Sequence, residues 1–340
     1  MDNKQTVLLG MPRAGFARTF RPTGQEELWR AFEVLEPGEK PTTEDLLALA
    51  AGRDLCAVLT TWGAPAFPVA FWEAHPECRF FGHLAGTVRH FFPDDTPQWL
   101  LDHGVTVISG QYGLGINVAE MTVGLMITLS RGFATLWRAT RDEGAWRVPE
   151  VATDPQGLLG ATVGLVGASA VGKLVIELLK PFRCRVRVYD PYLDEAAAAA
   201  LGVERASLEQ VLAESDIVSL HHPQTLETDR LLGSAQLTLI RDGALLINTA
   251  RPRVFDPEAL LAAARENRFQ IALDVTEPEP LPADHPLRAC PNVWITPHVA
   301  GGGRYGALMV GDLVMESLRQ HLAGEPVRWR YPLERLDQMA

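Results

Sequence analysis

The chain has 340 residues, 47% of them hydrophobic and 21% charged, and its length favours two domains because single hydrophobic cores stop growing at about 250–300 residues. The net charge of −11 argues against nucleic acid or an anionic membrane as the main partner, and no apolar run is long enough to predict a membrane span. Four cysteines without CxxC spacing, behind an N-terminus that lacks a signal-peptide pattern, predict a cytoplasmic protein with no metal site.

The first hundred residues predict an irregular α/β unit without a phosphate loop. Four short apolar runs are expected to be strands, namely Thr6–Leu9, Leu55–Thr60, Arg79–His83 and Val105–Ile108. A helix is expected at Glu44–Ala51 behind Thr42 and Thr43, and a long apolar helix from Ala119 to Leu129 leads into the next unit.

From about Gly160 strands and helices alternate regularly. The predicted strands are Thr162–Val166, Arg185–Tyr189, Ile217–Leu220, Ala244–Asn248, 271–274 and 293–296. The predicted helices are Val171–Leu179, one from Ser207, one from Ser234 and Glu258–Ala264 behind Asp256 and Pro257. Such alternation is typical of a doubly wound parallel sheet.

The domain boundaries follow from the chain's last helix. After His298 a run of glycines interrupts the chain, and Ala307–Leu322 has the pattern of an amphipathic helix. We expect this helix to pack on the first domain. The predicted domains are therefore 1–115 with 300–340, and 116–299.

The turn after the first strand of the regular unit is typical of a dinucleotide phosphate turn. Gly167 permits the tight turn and Gly172 permits close packing of helix on strand, whereas Ser169 replaces the middle glycine. The Ser169 Cβ would push a phosphate outward, although its hydroxyl can donate to it. Asp190, at the end of the next strand, is placed to accept from ribose hydroxyls and so favours NAD over NADP. The alternative is a ligand-free turn with Asp190 as a mere cap.

Three later strands each lead to a functional side chain. Their ends are followed by Arg251, Glu279 and His298, and parallel strands bring such ends to one edge of the sheet. A guanidinium binds a carboxylate with two hydrogen bonds, and an imidazole can take up and release a proton near neutral pH. A carboxylate beside the imidazole favours the imidazolium and so raises the pKa of the ring. The alternatives are a surface ion pair for Arg251, a structural role for His298, and Glu277 in place of Glu279.

These motifs resemble those of the D-isomer-specific 2-hydroxyacid dehydrogenases from about Phe81 to Gly302. The resemblance rests on the phosphate turn with Asp190 and on residues 220–223, 246–251, 273–282 and 296–301; residues 85–89 and 118–120 match more thinly. It implies a central Rossmann cofactor domain and a smaller flavodoxin-like α/β substrate domain built from both chain ends. It also implies a cleft that closes and a homodimer.

The resemblance also implies a role for each matched residue. Arg251 would bind the substrate carboxylate and 2-oxygen, His298 would be the acid/base and Glu279 its partner. The implied cofactor-binding residues are Gly167, Ser169, Ala170, Val171, Asp190, His222, Pro223, Thr228, Thr249, Ala250, Asp274, His298 and Gly301. The implied substrate-binding residues are Trp62, Gly86, Thr87, Val88 and Arg89, with Arg251 and His298. Asp274 would contact the nicotinamide end, or else merely terminate its strand.

The predicted function is an NAD-dependent oxidoreductase that interconverts a D-2-hydroxy acid and its 2-keto acid. The alternative is a non-catalytic NAD(H)-binding sensor or co-repressor-like protein on the same fold.

Several departures from the family pattern bear on the substrate. Pro252 follows Arg251 and restricts its backbone to extended angles. Trp62, where a basic residue is common, is either a pocket wall or a core residue, and Arg89 is either a substrate contact or solvated. Together, these departures from the family pattern indicate a substrate bulkier than the common glycerate types, or a weakened enzyme.

Overall fold

A computed structural model describes residues 4–146 and 156–338, which separate into two compact units. Unit 2 is Ile116–Gly301, and unit 1 combines the chain before it with the chain after it. The strands are β1 Thr6–Leu9, β2 Glu33–Leu35, β3 Leu55–Thr60, β4 Phe80–His83, β5 Thr106–Ser109, β6 Thr162–Val166, β7 Arg185–Tyr189, β8 Glu204–Arg205, β9 Ile217–Leu220, β10 Leu245–Asn248, β11 Gln270–Leu273 and β12 Val293–Ile295. The helices are α1 Pro22–Ala31, α2 Thr43–Ala50, α3 Val69–Ala74, α4 Thr96–Asp102, α5 Gln111–Ser130, α6 Phe133–Asp142, α7 Ala170–Leu179, α8 Glu195–Leu201, α9 Leu208–Glu214, α10 Ser234–Leu239, α11 Pro257–Glu266 and α12 Arg304–Leu322.

Unit 1 contains a five-stranded parallel sheet in the order β2-β1-β3-β4-β5. This is the 2-1-3-4-5 order of flavodoxin-like folds. An aromatic cluster that includes Phe67, Phe71, Trp72 and Phe81, all fully buried, forms part of its core. The predicted fold of this unit is confirmed.

Unit 2 contains a seven-stranded parallel sheet in the order β12-β11-β10-β9-β6-β7-β8. Every residue of its central strands β6, β9 and β10 is buried, as helices on both faces of a parallel sheet require. The strand order reverses between β6 and β9, which is where doubly wound sheets open a crevice for ligands. The predicted Rossmann fold is confirmed.

Helix caps account for several element boundaries. The Thr42 and Ser207 side chains each close a capping box, with Asp45 and Gln210 respectively. The carboxylate of Asp256 caps α11, whose first residue is proline, as the sequence predicts. The edge strands β2 and β8 were not predicted, because strands of three and two residues are too short to show an apolar alternation.

Among the described residues, α5 is the one helix that is long and apolar enough to cross a bilayer, judged by length and composition only. Ala119, Val123, Met126 and Leu129 on this helix pack into a hydrophobic core cluster of unit 2. That packing is the environment of a core helix.

Candidate active site

The turn between β6 and α7 accepts only glycine at two positions. Gly167 has φ of +105°, and a Cβ there would lie 2.7 Å from the backbone nitrogen of His222. A Cβ on Gly172 would lie 2.4 Å from the carbonyl oxygen of Gly167. The turn is therefore as tight as the sequence predicts.

Ser169 is the N-cap of α7. Its hydroxyl oxygen accepts from the Gly172 amide at 3.3 Å, and its proton is left for another acceptor. Ala170 and Val171 follow in the first turn, where backbone N–H groups have no acceptor within the helix. Donors of this kind at a helix N-terminus suit a phosphate.

Asp190 both shapes this turn and keeps capacity for a ligand. Its Oδ2 accepts from the Ala168 amide at 2.7 Å and its Oδ1 from the Tyr192 amide at 2.8 Å. Each carboxylate oxygen has a second lone pair that can accept from a ribose hydroxyl. The glycine turn, the first-turn amides and this carboxylate together fit a dinucleotide.

Arg251 lies just beyond β10 with an extended backbone, φ −141° and ψ 140°, which is the conformation that Pro252 predicts. Its Nη1 donates to the Ala250 carbonyl at 2.7 Å. Burial lowers the pKa of Arg251 from its ordinary value, and the negative charge of Glu279 opposes that shift. A partly buried guanidinium near a carboxylate is not a surface ion-pair partner, and arginine remains charged in such a place.

His298 and Glu279 are in direct contact. The distance between His298 Nδ1 and Glu279 Oε1 is 2.5 Å, and both side chains are about half exposed. Because Nδ1 faces the carboxylate, Nε2 is the ring nitrogen left for a reacting group. Glu277, the rival of Glu279, lies instead near Arg253, whose pKa is raised mainly by its hydrogen bond to Asp229 and to a smaller extent by the charge of Glu277.

The carboxylate of Asp274, directly after β11, accepts three hydrogen bonds from the segment that carries His298. Its Oδ1 accepts from the Thr296 hydroxyl at 2.6 Å and the Val299 amide at 2.9 Å, and its Oδ2 from the Ala300 amide at 2.9 Å. Asp274 is only 1% exposed. It does more than terminate its strand.

His222 lies beside Arg251 with one defined tautomer. Its Nδ1 is 2.9 Å from the Pro223 carbonyl oxygen, which only accepts, so Nδ1 carries the proton. Burial lowers the pKa of His222, the bond to Pro223 opposes this and the charge of Arg251 adds to it. The buried Nε2 has no partner within the described residues. The predicted ligand residue Thr228 donates its hydroxyl to Pro223 at 2.7 Å and so shapes this loop.

The structure adds two polar residues on α5 that sequence reasoning missed. Thr122 lies 2.8 Å, hydroxyl to hydroxyl, from Thr249, and Asn117 donates to the Gly301 carbonyl at 2.9 Å. Both are buried on a largely apolar helix, 0% and 5% exposed. Polar residues on the buried face of an apolar helix are the signal that could have found them, because such groups need a partner.

The predicted substrate residues of unit 1 differ in what they expose. Trp62 is 47% exposed beneath the Arg18 guanidinium, which lies 5.7 Å from its ring centroid, so it is not a core residue. The Gly86 carbonyl accepts from Ser109. The Val88 side chain is fully buried in the core of the unit, so only its backbone remains for a ligand. Burial raises the pKa of Tyr331 to about 12, against the opposing charge of the exposed Arg89.

The chain resembles known proteins both in sequence and in structure. Residues 123–300 match the family model described as the NAD binding domain of D-isomer specific 2-hydroxyacid dehydrogenases. A D-3-phosphoglycerate dehydrogenase of Archaeoglobus fulgidus is 33% identical over 226 residues, 66% of this chain and 42% of that protein. The chain thus spans less than half the length of that relative.

Two further proteins resemble the chain over almost its whole length. A glyoxylate reductase of Korarchaeum cryptofilum is 31% identical over 321 residues, 92% of this chain and 94% of that protein. The crystal structure of a phosphoglycerate oxidoreductase from Rhizobium etli superposes with a TM-score of 0.80 at 25% identity, covering 96% of this chain and 97% of that one.

Proposed function

The chain belongs to the D-isomer-specific 2-hydroxyacid dehydrogenases, a family that uses NAD, and on that premise we propose that it interconverts a D-2-hydroxy acid and its 2-keto acid. The observation that carries the proposal is the contact between His298 and Glu279. Arg251 lies close enough to the same carboxylate for its negative charge to raise the arginine pKa against the effect of burial. All three lie in the unit that contains the phosphate turn.

The proposed roles follow from what each side chain can do. Bound NAD supplies the hydride acceptor, or as NADH the hydride donor, at the carbon that carries the hydroxyl. Arg251 holds the substrate carboxylate through its two-pronged guanidinium. His298 takes the hydroxyl proton at Nε2 during oxidation and returns it during reduction, while Glu279 orients the ring through Nδ1 and stabilises the imidazolium.

The relatives guide the choice of substrate. Because the match to a glyoxylate reductase runs over nearly the full chain, we propose a small 2-keto acid, with glyoxylate as the first candidate. Trp62, Gly86, Thr87, Val88 and Arg89 of unit 1 stay the proposed substrate-binding set, and the exposed Trp62 ring supports a test of larger keto acids as well.

A panel of 2-keto acids with NADH, from glyoxylate to aromatic acids and followed by nicotinamide absorbance, tests the activity. We expect saturable oxidation of NADH with at least one acid and a preference for NADH over NADPH because of Asp190. Binding of NADH without turnover of any acid would contradict the proposal and favour the non-catalytic sensor.

The Glu279 assignment has a matched test. Glu279→Gln removes the charge beside His298, and we expect it to lower turnover about tenfold or more, as loss of a supporting partner does. Glu277→Gln makes the same change two residues earlier, where no contact with His298 exists within the described residues, and turnover should persist. Equal losses in both variants would contradict the role of Glu279.

We also propose a cytoplasmic homodimer. The family resemblance supports the dimer, and Phe133 and Trp137 on α6, 61% and 50% exposed, offer apolar surface for it. The four free cysteines suit a reducing compartment. Light scattering on the protein as it elutes from a size-exclusion column should give twice the mass of one chain. A monomer at the concentrations of the activity assay would contradict the dimer.

A further inference from the structure

Two buried polar residues lie side by side where β10 and β11 end. Asn248 is the last residue of β10, Asp274 follows β11, and the Asp274 amide donates to the Asn248 carbonyl at 3.0 Å. They are 0% and 1% exposed. A polar side chain buried this deeply destabilises the fold unless its hydrogen bonds are satisfied, so their partners explain their presence.

All three donors to the Asp274 carboxylate come from residues 296–300, the turn that carries His298. The His298 amide also donates to the Asp274 carbonyl at 2.8 Å. A carboxylate is an acceptor at every lone pair, so it alone matches a turn that presents three donors.

The turn needs this support because His298 has an unfavourable backbone conformation. Its φ of +52° lies in the left-handed region, which side chains with a Cβ adopt only when surrounding contacts compensate. That conformation sets the direction in which the imidazole leaves the chain, and with it the contact to Glu279.

Asn248 makes the complementary arrangement for Arg251. Its Oδ1 accepts from the Ala250 amide at 3.0 Å, and its Nδ2 donates to the Arg251 carbonyl at 2.8 Å. An amide has the one acceptor and the one donor group that these two backbone atoms require, and a carboxylate does not.

We infer that Asp274 and Asn248 are positioning residues of a single reaction centre: Asp274 fixes the turn of His298 and Asn248 fixes the turn of Arg251. The inference rests on the proposed function, and it gives Asp274 a role other than a contact with the nicotinamide. The hydrogen bond between their backbones places the two residues side by side, and the side chain of each holds its own turn.

A reciprocal pair of isosteric substitutions tests it. Asp274→Asn turns a donor toward a turn that already supplies donors, whereas Asn248→Asp places an oxygen against the Arg251 carbonyl. We expect Asp274→Asn to lower kcat about 10–100-fold with little change in NADH affinity, in the range typical of lost supporting partners. Asn248→Asp should mainly raise KM for the keto acid. Asp284→Asn, the same change at an exposed position, is the matched control.

A spectroscopic measurement on the free protein separates this inference from the proposed activity. The His298 ring protons, assigned by their loss in His298→Ala, should shift in Asp274→Asn and stay in place in Asn248→Asp. The Arg251 Nε–H signal, assigned by its loss in Arg251→Lys, should show the opposite pattern. These shifts need no turnover, so they hold even if no keto acid is reduced.

A second, milder variant keeps the inference testable if Asp274→Asn does not fold. Thr296→Val removes one donor to Asp274 from a partly exposed residue, and it should reproduce the kcat loss and the ring shift on a smaller scale. Unmoved His298 signals in both Asp274→Asn and Thr296→Val, or a loss confined to NADH affinity, would overturn the inference.

Discussion

The two units place buried polar groups at the same edge of similar sheets but use them differently. In unit 1 the Thr60 hydroxyl and His83 Nδ1, at the ends of β3 and β4, lie 2.9 Å apart and satisfy each other inside the core. In unit 2, Asn248 bonds to the loop after β10, which carries Arg251, and Asp274 bonds to the loop after β12, which carries His298. Both parallel sheets provide such an edge, but the buried hydrogen bonds of unit 1 stay inside its core, whereas those of unit 2 reach the loops that carry the proposed reaction centre.

The family model matches residues 123–300, all of which lie in unit 2. Substitutions test this contrast between the units, because residues of the two units are expected to affect turnover, substrate selectivity and the free energy of unfolding in different ways.

The largest effect is expected for His298→Ala. Loss of the proposed acid/base should lower kcat about a thousandfold, within the range of general acid–base catalysis, and leave the dissociation constant of NADH nearly unchanged. Steady-state kinetics and fluorescence titration with NADH check this. Equal losses of turnover and cofactor affinity would indicate a structural histidine and remove the contrast between the units.

Arg251→Lys keeps the charge but loses the two-pronged grip. We expect kcat/KM for the keto acid to fall about 10–100-fold, since hydrogen bonds to charged groups contribute about 1.5–3 kcal/mol each. Arg253→Lys is the control, because that guanidinium pairs with Asp229 on the surface. An equal loss in the control would show that the effect is not specific to the anchor.

Acid should destabilise both units through their buried histidines, of which His83 in unit 1 and His221 in unit 2 are the most deeply buried. Burial lowers the pKa of His83 in unit 1 and of His221 in unit 2 to about 3, from an ordinary 6.5. Between these values the unfolded chain binds more protons, so the free energy of unfolding falls as the pH drops below 6.5, by up to about 1.4 kcal/mol per pH unit for each ring.

Urea unfolding at several pH values checks this, with one variant for each unit. His83→Gln and His221→Gln should each flatten the acid limb, and His103→Gln, at an exposed position, should not. An unchanged slope in both buried variants would refute the assignment.

The smallest effect is expected for Trp62→Ala. Removal of this half-exposed ring should change the relative kcat/KM of large and small keto acids by less than about tenfold, the scale of a modest apolar contact. NADH affinity should not change. Trp146→Ala, on another exposed tryptophan of unit 2, is the control, and an identical change in selectivity there would contradict a substrate contact by Trp62.

The sequence predicted those parts that depend on local patterns. Strand–helix alternation led to the unit 2 sheet, the glycine spacing led to the phosphate turn, and Pro252 led to the extended backbone of Arg251. Each depends on neighbours along the chain, where apolar periodicity and backbone restrictions act directly.

Contacts between distant segments could not be predicted in the same way. The bonds of Asp274 to the His298 turn join residues 22 to 26 positions apart, and the Thr122–Thr249 pair joins residues 127 positions apart. Their partners depend on how loops return to the sheet edge. The positive φ of His298 could not be predicted from the sequence either, because tertiary contacts hold the histidine in this left-handed conformation.

The Thr122–Thr249 pair has a consequence for what can be bound beside it. Thr122 donates its single hydroxyl proton to the Val118 carbonyl at 2.8 Å, so it must accept the proton of Thr249. The Thr249 oxygen then has lone pairs to offer and no hydrogen. Through these two hydrogen bonds, the Val118 carbonyl of α5 leaves the Thr249 hydroxyl as an acceptor only. The N–H or O–H group of a ligand can donate to it, whereas an ionised carboxylate or phosphate oxygen, which can only accept, finds no donor there.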